Sequence, residues 1–371
     1  MLKGFCKIYV ESIIKLKGVI KVFEIENYSQ RLLNEAIRMN VTDLHFIPSE
    51  DEYNVMYRLN GKVEKWKRLQ SHLAERLISH FKYRSGLDIG ERRKPQSSSV
   101  MHIENNQTYS LRFSTLPSKN FESLAIRILP HFSTQTISSL TILQTHSNLI
   151  KSITNFSQGL CLITGPTGSG KTTTLYTIIE EMLRIGGKSI ITIEDPVERS
   201  IPNLVQVEVN SKTGLSFNSV LTACLRHDPD VILIGEIRDE ATAAIAIRAS
   251  LTGHVVLATV HAQNCNTALM RMMDLGVSRF DLLECCKLVL SQRIINIKCP
   301  LCQERCHPLC RGVRQRARAA LFDGLSGAKL KNAVLNNSSI NEKPFSKAVN
   351  KAWALGFIED VEWQRVINEN V

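Results

Sequence analysis

The segment LCLITGPTGSGKTTTLYTII carries the chain's strongest chemical signal. Gly165, Pro166, Thr167, Gly168, Ser169, Gly170, Lys171, Thr172 and Thr173 satisfy the pattern G-x4-G-K-T, behind an apolar run and ahead of a helical one. Glycines let backbone N–H groups turn inward around a phosphate with no side chain in the way. The following helix aims its N-terminal partial charge at the same anion. Lys171 is placed to reach the β- and γ-phosphates, and the Thr172 hydroxyl to coordinate Mg²⁺. In a chain of this length a chance match is roughly a one-to-two per cent event, so the segment reads as a nucleotide site.

Phosphate transfer also needs acids at neighbouring strand ends, to hold the metal's water shell or to orient water. ITIEDPVE ends one apolar run with Glu194 and Asp195, and Pro196 stops it there. VILIGEIRD ends another with Glu236, with Gly235 where many such enzymes place Asp. A third run, VVLATVHA, ends at His261, for which structural and functional roles both remain open. Cys299, Cys302, Cys306 and Cys310 follow the spacing C-x2-C-x3-C-x3-C. Four thiolates close a tetrahedral Zn²⁺ shell, and His307 could replace one; the alternative is reduced or redox-labile thiols.

Those groups have to be held by a fold. Short buried runs (LCLIT, SIITI, VILIG, VVLAT) alternate with helical patterns after Phe156, which implies an α/β core on a mainly parallel sheet. Upstream, SQRLLNEAIRMNV reads as a helix capped by Ser29, LHFIP and YNVMYRL as strands, and Asn60-Gly61 as a hairpin turn. A helix near 71–86 and the strands YSLRFSTL and SLAIRIL complete a smaller α+β unit. The expected organisation is an N-terminal extension over 1–26, an α+β domain over 27–132 and a linker over 133–150. An ATPase core over 151–290 and a helical, cysteine-bearing region over 291–371 follow. The extension is basic and partly apolar, and either an unstructured tail or a membrane-lying amphipathic helix fits it.

Composition bounds the class. The 371 residues are 43% hydrophobic and 22% charged, which excludes a disordered or collagenous chain. No apolar run approaches the roughly 20 residues of a spanning helix, so the protein is expected to be soluble or peripheral. The crowded cysteines, read as a metal site of a reducing compartment, and an N-terminus without a clean apolar core lead to the expectation of a cytoplasmic protein. The net charge is +11, and residues 293–331 hold nine Lys/Arg against two Asp/Glu. That run fits an anionic partner or an ordinary solvated face. Cys6, Cys161, Cys224, Cys265, Cys285 and Cys286 stand among apolar neighbours, as buried free thiols do.

GPTGSGKTTTLY, TIEDPVE, LRHDPDVILIGEIRDEATAAIAIRASLTGHVVLATVHA and LSQRI together resemble the secretion-ATPase superfamily of type II secretion and type IV pilus assembly. DIGERRKPQ, LRFSTLPS and AIRIL extend the resemblance over roughly 28–371, and the compact cysteine cluster looks most like the competence-pilus assembly branch of Gram-positive bacteria. The resemblance implies a RecA-like P-loop core in a homohexameric ring at the cytoplasmic face of the membrane. Its implied partner is a polytopic inner-membrane pilus-assembly protein, with no direct DNA binding. It implies that Gly165–Thr173 form the Walker A loop, that Glu236 with Thr172 serves Mg²⁺, and that Glu194 is the general base. It also implies that His261 belongs to a histidine box, that Arg112 and Arg127 approach the phosphates, and that Arg238 contacts a neighbouring subunit. A strand-surface ion pair is the alternative for the two arginines. Gln96-Ser97-Ser98-Ser99, read as a turn, departs from the family pattern, as do Ala262 and Asn264. Rival readings are a nucleic-acid translocase using the basic run, which has little interleaved aromatic stacking, and a non-hydrolysing scaffold.

Overall fold

The computed structural model describes residues 24–368, apart from 60, 106, 120, 131–134, 210–214, 303–309, 311–316 and 337–343. Their contacts separate two compact units, the first running to Ser133 and taking in Leu301–Gln315, the second made of Thr134–Pro300 and the chain from Arg316 onward.

The first unit begins with helix α1 over residues 24–38. Strands β1 (Asp43–Pro48), β2 (Glu52–Leu59) and β3 (Lys62–Gln70) precede helix α2 (Ser71–Arg84), and β4 (Gln96–Glu104), β5 (Gln107–Ser118) and β6 (Phe121–Pro130) follow it. The strands form one antiparallel sheet in the order β3-β2-β1-β6-β5-β4. Strict alternation in β2 buries Tyr53, Val55, Tyr57 and Leu59 against Leu32, Leu33 and Ala36 of α1 and Leu77 and Phe81 of α2. Beneath the sheet, Lys82 makes a buried ion pair with Glu122 at 3.0 Å and donates to the Glu91 carbonyl at 2.7 Å. Glu122 thus stands in the strand as Lys82's counter-charge.

Three expectations need correction here. Helix α1 runs through Ser29, whose hydroxyl donates to the Glu26 carbonyl at 2.8 Å, so Ser29 lies inside the helix and caps nothing. Ile25 is buried in this core, so the boundary at residue 26 cuts the helix; residues 1–23 lie outside the described ones. Gln96–Ser99 open strand β4, and the Gln96 side chain ties the preceding loop by bonding to the Asp88 and Glu91 main chain. The hairpin after Leu59 has the expected two-residue span, with Leu59 opposite Lys62, although Asn60 itself lies outside the described residues.

The second unit opens with α3 (Ile137–Leu140) and α4 (Gln144–Ser152). Ile137, Leu140 and Ile150 are buried against Ile163 and Leu175, so most of the segment read as a linker is packed structure. The β/α succession is β7 (Gly159–Thr164), α5 (Lys171–Ile185), β8 (Ile190–Glu194), β9 (Val205–Glu208), α6 (Phe217–Cys224), β10 (Val231–Ile234), α7 (Glu240–Leu251), β11 (Val255–Val260), α8 (Cys265–Asp274) and α9 (Arg279–Cys285). Two more strands, β12 (Cys286–Asn296) and β13 (Arg318–Ser326), continue the same sheet, in the order β13-β12-β7-β11-β10-β8-β9. All neighbours are parallel except β12 and β13. The C-terminal part is therefore not helical up to the cysteines, and a core boundary at 290 falls inside β12. The apolar run KLVLSQRII is buried on both faces of the sheet, a pattern whose periodicity does not separate strand from buried helix. Cys161, Cys224, Cys265, Cys285 and Cys286 are free and buried. Burial raises their thiol pKa values, which makes them inert packing groups.

Candidate nucleotide site

In a parallel sheet, ligands lie beyond the carboxyl ends of the strands. Strand β7 is buried along its whole length and delivers the chain at Thr164 into the loop 165–170, from which α5 departs at Lys171. Gly165 has φ 146°, and a Cβ there would stand 2.5 Å from the Gln292 carbonyl oxygen. Gly170, the residue before α5, has φ 85°, a left-handed conformation that disfavours any side chain. Pro166, Thr167 and Gly168 are exposed, while Ser169 is buried and its hydroxyl has no hydrogen-bond partner among the described residues. The Lys171 ammonium lies over the loop, donating to the carbonyls of Gly165 at 2.8 Å and Pro166 at 3.1 Å. Burial holds that ammonium below the usual lysine range; Glu236 pulls it back up, and Arg293 lowers it further. A γ-phosphate would relieve both the desolvation and the Arg293 repulsion.

The adjacent strand ends bring the other candidates to this edge. Glu236, just beyond β10, is bracketed by Arg238 Nε at 2.6 Å and His261 Nε2 at 3.1 Å, the latter just beyond β11. Arg238 also reaches Asp195 at 3.4 Å. In this chain, then, the partners of Arg238 are its own acids. Gly235 fits closely: a Cβ would stand 3.3 Å from Glu194 Cα, so an Asp here would press on the β8 main chain. Glu194, last in β8, is buried to 4% exposure. Its carboxylate accepts from the Tyr176 phenol, from Thr192 Oγ1 at 2.6 Å and from Gln206 Nε2 at 3.3 Å. Burial first, then the Glu194 charge, push the Tyr176 pKa up, so this phenol stays a donor. The sequence alone marks Glu194 as a candidate base; it does not show that both oxygens are already engaged.

One departure from the family pattern has a local explanation. Asn264 caps α8, accepting from Thr267 N at 2.9 Å as an Asp would; Ala262 contributes only its main-chain carbonyl, to Thr164 Oγ1 at 2.7 Å, so nothing here accounts for its side chain. Gln292, Thr174, Tyr176 and Arg293 are the residues that sequence reasoning passed over, although LSQRI contained two of them. Arg293 donates to the Gln263 carbonyl at 2.8 Å and stacks on Phe345, tying β12 to the segment after His261.

Arg112 and Arg127 lie in the first unit, directly opposite each other in the β5–β6 register. Arg127 is also level with Asp43 on β1, and Asp43 with Arg58 on β2, which makes a row across four strands. Asp43 pairs with Arg127 at 2.8 Å and Arg58 at 3.5 Å. Like charges opposite one another cost stability, and in this row Asp43 stands as counter-charge to two of the guanidinium groups, those of Arg127 and Arg58.

The thiols of Cys299, Cys302 and Cys310 converge, with their ligand atoms within 4.8 Å of one another. Three soft donors at this separation fit a zinc ion. Cys306 and His307 lie outside the described residues, as do Arg305, Arg311, Arg314 and Arg316 of the basic run.

A phosphate loop at the end of a parallel strand, with acids and a histidine at the neighbouring ends, defines a P-loop nucleotide hydrolase. Residues 21–350 match the model of the type II/IV secretion system protein family. The competence protein ComGA of Halalkalibacterium halodurans is 43% identical over 340 residues, 91% of this chain and 97% of that one. ComGA of Bacillus subtilis is 36% identical over 92% of this chain and 97% of its own length. The type IV pilus assembly ATPase PilB of Acinetobacter baylyi is 40% identical over 75% of this chain and 48% of that one. Among solved structures, the Legionella pneumophila ATPase DotB superposes with a TM-score of 0.71 at 19% identity, covering 92% of this chain and 95% of that one, a likeness of fold. The chain belongs to the type II/IV secretion system protein family, and it is an ATP-hydrolysing enzyme. The loop's glycine cradle fits ATP, and the Thr172 hydroxyl with the Glu236 carboxylate offers the hard oxygens that Mg²⁺ takes. No helix among the described residues is long and apolar enough to cross a membrane.

Proposed function

We propose that this protein is the ring-forming ATPase motor that powers assembly of a competence pilus, a type IV-like filament serving DNA uptake. The observation that carries the reading is its identity to two competence proteins over 97% of their lengths. The geometry supports it by setting Lys171, Glu194, Glu236 and His261 at adjacent ends of the parallel strands.

On this reading Lys171 exchanges the Gly165 and Pro166 carbonyls for the β- and γ-phosphates. Thr172 and Glu236 would hold Mg²⁺, which would supply charge neutralisation at the phosphate oxygens. Glu194 orients or deprotonates the attacking water at Oε2, which among the described residues accepts from the Tyr176 phenol alone. His261 holds Glu236 in place. Arg112 and Arg127 supply positive charge to the γ-phosphate, and Arg127 must first leave Asp43. ATP and ADP favour different arrangements of the two units, and this differential affinity becomes displacement. A heterologous interface that closes on itself gives a homohexamer. The ring works in the cytoplasm, peripheral to the membrane, against a polytopic inner-membrane assembly protein, and it does not grip DNA itself.

In the host, deletion of the gene should abolish surface pili and DNA uptake, with rescue by the parent gene but not by Lys171→Ala. Undiminished DNA uptake in the deletion strain would overturn the proposal.

Cys299, Cys302 and Cys310, with Cys306 as the fourth ligand, hold structural zinc in this scheme. Protein purified without chelators should contain about one zinc per chain, and a Cys299→Ser, Cys302→Ser double variant should contain none and melt lower. Metal-free parent protein with freely titratable thiols contradicts the assignment.

A further inference from the structure

We infer that Gln292 is a positioning residue of the phosphate loop: its side-chain amide fixes the peptide between Ser169 and Gly170 so that the Gly170 N–H is presented to the phosphates. The inference rests on the reading of residues 165–173 as the nucleotide site.

Gln292 lies on β12 and is 1% exposed. The preceding residue, Ser291, is level with Thr164, the last residue of β7, so Gln292 stands where the chain leaves that strand for the loop. Its Nε2 donates to the Ser169 carbonyl at 2.7 Å, and its Oε1 accepts from the Thr174 hydroxyl at 2.9 Å. A carbonyl only accepts, so the nitrogen must face Ser169; Thr174, donating from the first turn of α5, locks the amide in that orientation. Both contacts are buried, and water is not at hand to replace either one.

The consequence follows from peptide geometry. In a planar trans peptide the C=O and the N–H point in opposite directions. Drawing the Ser169 carbonyl toward β12 therefore turns the Gly170 N–H away from β12. A phosphate loop binds through inward-facing N–H groups, and an inward-facing carbonyl would repel the anion. The adjoining glycines fit the same arrangement. A Cβ on Gly170 would press the Gln292 side-chain nitrogen at 3.0 Å, and one on Gly165 would collide with the main-chain carbonyl of residue 292 at 2.5 Å, so β12 lies close against both ends of the loop. The loop is thus shaped from β12 before any nucleotide arrives.

The test compares ATP affinity of the full-length protein with its thermal midpoint in the absence of nucleotide. Gln292→Met keeps length and burial but removes donor and acceptor. Gln292→Glu keeps the acceptor for Thr174 and sets an oxygen against the Ser169 carbonyl. We expect ATP binding about tenfold weaker for Gln292→Met and weaker still for Gln292→Glu, with the nucleotide-free midpoint of Gln292→Met within a few degrees of the parent. A residue that serves packing alone would move the midpoint and leave affinity untouched, so affinity within twofold of the parent overturns the inference. Should Gln292→Met fail to fold, Thr174→Val decides: it leaves the amide unlocked, and about threefold weaker binding is expected, with parental affinity overturning the inference. If the parent itself binds no ATP, the nucleotide-site reading falls first, and the inference falls with it.

Discussion

Lys171→Ala lowers ATP turnover by at least about a thousandfold while the protein remains folded. The lysine contributes the one ammonium that lies over the loop, and it is held there by two carbonyls at 2.8 and 3.1 Å. Its surroundings already disfavour the charge through burial and Arg293, so the anion that completes the site gains a strong, partly desolvated contact. Losing an interaction that strengthens as charge develops on the γ-phosphate costs about 4 kcal/mol in the barrier, which is the thousandfold stated. Folding is affected far less: the two released carbonyls are near the surface and rehydrate, so the change in stability stays near 1 kcal/mol. Phosphate release at saturating Mg²⁺-ATP, read beside a thermal melt, checks both statements. Parental turnover in a homogeneous preparation of the variant contradicts the site.

Glu236→Gln should separate binding from chemistry. The carboxylate stands at the mouth of the sheet with Arg238 on one oxygen and His261 on the other. An amide of the same shape accepts at one atom only, so with its oxygen on Arg238 it brings no charge and no longer offers an acceptor to His261. Turnover should fall by at least about a hundredfold, or about 3 kcal/mol. ATP affinity should change by less than about threefold, because the phosphate loop and Lys171 are untouched. Steady-state turnover and equilibrium ATP binding on the same preparation give the answer. Equal losses in both would mean that Glu236 serves nucleotide binding rather than the hydrolytic step.

The hydrolytic edge was legible to the extent that its chemistry is local. The loop 165–173 declares itself because glycine, lysine and threonine at fixed spacing leave little else to be. Glu194, Glu236 and His261 were found because each ends a short apolar run, and parallel strands put such ends together. What the sequence concealed depends on pairing between distant segments. Nothing in KLVLSQRII says that it lies beside LCLIT, so β12 read as helix and Gln292 had no role. Tyr176 looked like one more apolar position of α5 until its phenol met Glu194, eighteen residues on. Arg112 and Arg127 were legible as a pair only through resemblance; the register that sets them side by side, with Asp43 on the other side of Arg127, belongs to the sheet. At the chain's start, Ser29 offered the right side chain for a cap, but the apolar face continues upstream through Ile25, and burial of that residue carries the helix past it.

The claim beneath all of this is that adenosine triphosphate occupies the loop between β7 and α5. Equilibrium dialysis of the purified full-length chain against Mg²⁺-ATP, with Lys171→Ala alongside, tests it most directly. The account predicts about one nucleotide retained per parent chain and a loss of most of that retention in the variant; a parent chain that retains none, or a variant that retains as much, would contradict it.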